Sequence, residues 1–260
     1  MDRPRGRAGA RPAPRRSTAE SPVGTLLAAS AAAFLLALLS SVTGFGGGVL
    51  LLPVFTALFG LRVAVPVLTL TQLASNGARV WLNRRELCWP LAGRFAAGAV
   101  PFAVTGALLL AHAPLAALKR LLGVFLLAVV AWRRIGARPA RPTERTFVAV
   151  GAASGLGSAL LGSVGPLTAP FFLAYGLTRA AYVGTEAAAA LTLHLAKTVG
   201  YAAAGLIGRD VLVLGAALTP ATLAGAWVGR RVVGRISDRV FVVLVEAGLV
   251  VAALLLLAGR

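Results

Sequence analysis

The chain has 260 residues, of which 58% are hydrophobic and only 13% charged, yet 26 Lys and Arg against 8 Asp and Glu leave it at +18. An ordinary soluble domain carries about 25% charged residues and has no surface on which to hide so much apolar area. A disordered basic chain would be poor in Leu, Val and Ala, and a nucleic-acid binder would spread its cations over a polar surface. Long apolar runs broken by short basic clusters describe a polytopic membrane protein instead.

Residues 1–22 hold six arginines among Pro, Ala and Gly, and read as a disordered basic tail flanking the first apolar run. Residues 23–260 form a single membrane domain. Apolar segments follow at 23–58, 64–83, 90–111, 116–133, 146–175, 182–207, 211–229 and 240–258. Crossing about 30 Å of hydrocarbon takes roughly 20 helical residues, so six of the eight are ordinary single spans. The first and fifth are too long, and both are interrupted by glycines: Gly44, Gly46, Gly47 and Gly48, then Gly155, Gly157, Gly162 and Gly165. Such breaks free backbone polar groups at membrane depth, where only protein or a water-filled cavity can cover them.

The two broken segments anchor an internal repeat. Gly48 and Gly165 each precede a proline by five residues, Pro53 and Pro170. A Gly-Leu pair follows each, at Gly60–Leu61 and Gly176–Leu177, and then a polar helix with Thr69 or Thr185 near its start. The offsets are 116 or 117 residues, which sets one repeat at 23–135 and the other at 145–258. Glycines spaced for close helix packing explain Gly98 with Gly106 and Gly225 with Gly229, but not three consecutive glycines, which forfeit too much helix propensity. Duplicated halves with glycine-broken segments in matching places point to the substrate site of a secondary transporter.

The helices after the breaks carry polar stripes. At about 100° per residue, Thr69, Gln72, Asn76, Arg79 and Asn83 share one face, and so do Glu186, His194, Lys197 and Tyr201. Arg79 lies 26 residues after Pro53 and Lys197 lies 27 after Pro170, so each repeat sets a cation at an equivalent level. Apart from Lys119, Arg120 and Arg133 near the ends of the fourth segment, the cations inside the apolar segments are Arg79, Arg94 and Lys197, and an ionisable group there costs about 2.5–3.5 kcal/mol on insertion scales. Arg79 can snorkel to the interface beside Arg84 and Arg85. Eleven residues separate Glu186 from Lys197 on one helix, so their partners come from other helices or from a solute. Glu186, His194 and Glu246 are the candidates for carrying a coupling proton. Cys88 is the one cysteine and His112 and His194 the two histidines, so no metal site and no cofactor is expected.

The segment T-G-F-G-G-G-V-L-L-L-P at 43–53 and the degenerate copy G-L-G-S-A-L-L-G-S-V-G-P-L-T-A-P at 155–170 resemble the TauE/SafE family of sulfite and organosulfonate exporters. The second copy departs from the usual pattern at Ser163, Val164 and Pro166. The resemblance spans about residues 25–258 and implies gradient-driven export of small sulfur-containing anions at the cell membrane. The residues agree in kind: free N–H groups of a broken helix can face an anion, and cations from either half can neutralise it. The expected site therefore joins Gly46, Gly47 and Gly48 to Gly162 and Gly165, with Gln72, Asn76, Arg79 and Lys197. The expected partners are a small anion and the bilayer, with no nucleic acid, and a second copy of the chain is a further candidate. The competing readings are a passive anion channel of the same fold and, far behind, a membrane enzyme using His194 with Ser158 or Ser163.

Charge placement leaves orientation open. If segments one and five cross, the repeats run in the same sense. If they are U-shaped hairpins, each half crosses three times and the repeats are inverted; this is the expected layout, because it suits alternating access.

Overall fold

The computed structural model describes residues 22–43, 47–135 and 141–232, together with positions 250, 253, 254 and 257. Nine helices and no strand occur among them. They are α1 (Pro22–Thr43), α2 (Gly47–Phe59), α3 (Leu61–Leu82), α4 (Trp89–His112), α5 (Leu115–Ile135), α6 (Thr146–Leu161), α7 (Gly165–Ala174), α8 (Arg179–Ala203) and α9 (Arg209–Val232).

Both long segments are split where their glycines fall, into α1 with α2 and α6 with α7. Gly60 and Gly176, the glycines of the two Gly-Leu pairs, both take a positive φ, 77° and 93°. Only glycine enters that region without strain, so both motifs end one helix sharply and admit the next. Pro90 opens α4 at a position where no N–H is needed, and the Thr178 hydroxyl caps α8 by accepting from the Ala181 N–H.

Among the described residues two helices, Trp89–His112 and Leu115–Trp132, are long and apolar enough to cross a membrane on composition. The other segments fall short for visible reasons. α3 carries Arg62, Gln72, Asn76 and Arg79, α8 carries Glu186, His194 and Lys197, and α6 has only 16 residues. Residues 240–258 lie almost entirely outside the described part.

α4 packs on α6 and α1 packs on α9. The α4–α6 crossing is built on glycine. A methyl at Gly98 would overlap the Val148 carbonyl, one at Gly151 the Phe95 carbonyl, and one at Gly155 the Ala99 carbonyl. Further along, Gly106 faces Leu156 and Ala159. The partner numbers rise together, so α4 and α6 run parallel. α9 meets α1 in the same manner, with Gly225 against the Phe34 carbonyl.

The α6–α7 segment doubles back. Phe147, at the start of α6, packs on Phe172 and Tyr175 at the end of α7, with ring centroids 4.9 and 5.6 Å apart. The Tyr175 hydroxyl donates to Glu144 Oε1 at 3.2 Å, and Arg94 of α4 pairs with the same carboxylate. α8 starts beside the α3–α4 turn, where Gly184 faces Asn83, and ends against α4 at Val104 and Ala107 through Gly200. It is therefore antiparallel to α3 and parallel to α4. One apolar core joins α1, α2, α3, α5 and α9 with the later parts of α4, α6 and α8, and a smaller one joins α4, α6, α7 and α8 around Phe95, Phe147 and Phe172. Outside these, large apolar side chains such as Leu109, Leu121, Val124, Leu195 and Val199 stand exposed.

Gly151→Leu should force the α4–α6 crossing apart and lower stability by about 1–3 kcal/mol, the usual cost of overpacking. Gly93→Ala, whose added methyl meets nothing within 4 Å, should cost nothing and raise stability by about 0.4–1 kcal/mol through helix propensity. Thermal unfolding of the detergent-purified variants measures both.

Candidate functional site

The break between α6 and α7 creates the chemical problem at this site. The last carbonyls of a helix have no N–H partner of their own, and in an apolar interior each must find one. Gly162 turns the chain with φ 79°, ending α6 while it is buried. The Ser163 N–H reaches back to the Leu161 carbonyl at 3.0 Å. The other donors come from α8. The Tyr201 hydroxyl donates to the Ala159 carbonyl at 2.6 Å. The Lys197 ammonium donates to the Gly162 carbonyl at 2.9 Å, to Ser158 Oγ at 3.0 Å and, more loosely, to the Ser158 carbonyl at 3.4 Å. The Ser158 hydroxyl in turn donates to Gly162 O at 3.3 Å.

Lys197 is fully buried. Three donors meet three neutral oxygens at the negative end of α6, a placement that offsets the desolvation of the charge. No carboxylate bonds to it among the described residues.

The tip of this break meets the start of α2. A Cβ placed on Gly48 would lie 2.9 Å from Ser163 Oγ and 3.6 Å from the Gln72 amide nitrogen. One placed on Gly162 would lie 2.9 Å from Leu52. Gly48, Gln72, Gly162, Ser163 and Lys197 are thus gathered around one junction of α2 and α3 with the α6–α7 break and α8. From there a polar track runs down α3. Asn76 Nδ2 donates to the Gln72 carbonyl at 2.9 Å, and Arg79 Nη1 donates to Asn76 Oδ1 at 3.2 Å. Arg79 Nη2 then pairs with Glu186 Oε2 at 2.6 Å, and the Glu186 side chain is 7% exposed against 27% for Arg79.

The two cations therefore have separate partners. Glu186 and Lys197 are eleven residues apart, so about 16 Å of helix rise lies between the ion pair and the tip of the break. Arg79 and Lys197 stand at opposite ends of one polar track. Gly165 begins α7, beyond the tip. Gly47 begins α2, while Gly46 and Glu246 lie outside the described residues.

His194 is buried, with Nδ1 lacking a hydrogen-bond partner. Ser158 bonds to Lys197 and Gly162, and Ser163 faces Gly48, so the Ser–His arrangement entertained from sequence has no hydrogen bond to carry it. The contributions of Ser158, Ser163 and Tyr201 at the break were not foreseen. Ser158 precedes Gly162 by four residues, the spacing that lays a hydroxyl over a last helical turn, which is the local signal that could have found it.

A family model described as Sulfite exporter TauE/SafE matches residues 29–256, nearly the whole chain. The chain belongs to the TauE/SafE family. It is thereby placed among integral membrane transporters that export sulfite and related sulfur anions. No curated protein and no solved structure matches it.

Glu186→Gln should remove the carboxylate from the part-buried Arg79 charge and lower stability by about 2–3 kcal/mol. Exchanging the pair, Arg79→Glu with Glu186→Arg, should recover part of that loss. A double-mutant cycle on thermal unfolding reads the coupling.

Proposed function

We propose that this protein moves small sulfur oxyanions, sulfite or sulfonates, outward across the cell membrane through the junction where the α6–α7 break meets the start of α2. The observation that carries this is the meeting of Gly48, Gln72 and Ser163 at that junction. The Ser163 hydroxyl and the Gln72 amide converge there on a glycine that has no side chain of its own, and the buried Lys197 charge sits directly behind. An oxyanion is held by N–H and O–H donors and favoured by a nearby positive charge that it need not touch. Arg79, a polar track away, belongs to a second station on the route, where its ion pair with Glu186 ties α3 to α8.

The packing supports two equivalent halves. α4 on α6 is matched by α1 on α9, and α4 against α8 by α9 against α3, as a pseudo-two-fold relation between 23–135 and 145–258 requires. The doubling back of α6–α7 supports the hairpin layout, in which each half crosses three times and the repeats are inverted. Inverted halves meeting at a shared site can rock against each other to open it to either side. A gradient of protons or ions drives the cycle.

Proteoliposomes loaded with sulfite test the reading. Wild type should release sulfite faster under an imposed gradient than without one, whereas gradient-independent release would favour a channel. Gln72→Ala should weaken sulfite binding by roughly tenfold, the worth of about 1.5 kcal/mol in a lost donor to a charged ligand. Gly48→Val should abolish flux by pressing Ser163 out of place. In a Cys88→Ser background, single cysteines replacing Thr143 and Thr178 should label from the same side of the membrane. Labelling from opposite sides would mean that α6–α7 crosses.

A further inference from the structure

The oxygens around Lys197 Nζ form a recognisable set. Two are backbone carbonyls freed by a helix break, Ser158 O and Gly162 O, and the third is the Ser158 hydroxyl. Neutral oxygens of this kind, at the carbonyl end of an interrupted helix, are what transporters offer to a small monovalent cation. Here the set is fully buried and the ammonium of Lys197 is the cation that fills it. The fit is one of shape as well as charge. A lysine ammonium is a compact point charge whose donors diverge, whereas a guanidinium is planar and directs its donors in a flat fork. We propose that the ammonium of Lys197 stands in a monovalent-cation subsite at the tip of the α6–α7 break, so that the protein carries its own cation there and needs no alkali-metal ion.

The surroundings agree. α6 and α7 contain no ionisable residue. On α3 the cation of the polar face, Arg79, stands at the far end of the track and is matched by Glu186. The ionisable groups of α4, Arg94 and His112, stand near the two ends of that helix. On α8 the neighbours of Lys197 are His194 and Tyr201, and the Tyr201 hydroxyl is bonded to Ala159 O. No acidic side chain competes for the ammonium among the described residues, so the neutral oxygens define the subsite.

The inference deepens the transport reading, since a fixed cation beside the anion junction would complete the charge of the loaded site. It can nevertheless be tested without transport. Full-length Lys197→Ala is purified in detergent, and its thermal unfolding is followed in choline chloride and in ammonium, methylammonium, sodium or potassium chloride at equal ionic strength. Lys197→Ala should unfold several degrees below wild type in choline and regain most of that shift in ammonium or methylammonium. Adding Ser158→Ala should remove the recovery. Wild type, with its subsite filled, should unfold at the same temperature in all five salts. The proposal is overturned if no cation raises the midpoint of Lys197→Ala above its value in choline. It is equally overturned if sodium or potassium stabilises wild type over choline, a measurement that stands even if the variant does not fold. Failure of sulfite flux alongside cation recovery of Lys197→Ala would sink the transport reading and leave the subsite in place.

Discussion

The structure depends on satisfying the carbonyl end of α6. A helix that stops inside an apolar interior leaves its last carbonyls without partners, and each unsatisfied one costs several kcal/mol in such surroundings. The chain meets this demand from one direction. Lys197 and Tyr201, four residues apart on α8, reach the same turn of α6, while the Ser163 N–H bonds the Leu161 carbonyl from within the break. Spacing of four puts both α8 side chains on one face, so a single helix placement fixes the whole tip. The break can then present its glycine backbone toward the start of α2 with the Ser158, Ala159, Leu161 and Gly162 carbonyls all bonded.

Placing α8 against α6 at that depth requires the helices around it to approach closely. Gly98, Gly151 and Gly155 let α4 and α6 cross backbone to backbone, and Gly200 lets α8 lie against α4. The glycines that permit packing and the glycines that break helices thus act in sequence. The first set brings α4, α6 and α8 together, and the second presents a tip for α8 to hold. At the other end of α8 the Arg79–Glu186 pair performs the equivalent binding of α8 to α3. α8 is therefore held at both ends by charge and along its middle by close contact.

Much of this was legible in the sequence. The glycine runs marked both breaks, the Gly-Leu pairs marked both sharp restarts, and the stripe from Gln72 through Asn76 to Arg79 is observed as a chain of hydrogen bonds. The close-packing reading of Gly98 and Gly106 matches their contacts. What the sequence could not supply was the partner of each buried charge. Lys197 and Ser158 are 39 residues apart, and Arg79 and Glu186 are 107 apart. Periodicity within one helix says which face is polar and nothing about which helix that face will meet. Hence Arg79 and Lys197, read as equivalent from the sequence, were expected around one anion, whereas the antiparallel course of α3 and α8 carries them to opposite ends of the track.

That separation has a chemical logic in the residue types. Arg79 faces a carboxylate, which a planar guanidinium grips through directed N–H donors. Lys197 faces carbonyls and a hydroxyl converging from one helix end, which suit a small charge with diverging donors. Exchanging the two would set a flat fork against a converging set of oxygens and leave a carboxylate with a single-point partner. The polar stripes of α3 and α8 each carry a cation, and the two do different work. Arg79 joins α3 to α8 through an acid, and Lys197 completes the backbone of the break. A positive charge held by neutral groups retains its field, whereas one matched by a carboxylate largely loses it. For an anion at the Gly48–Ser163 junction, Lys197 is therefore the charge that matters, even though all its donors are directed elsewhere.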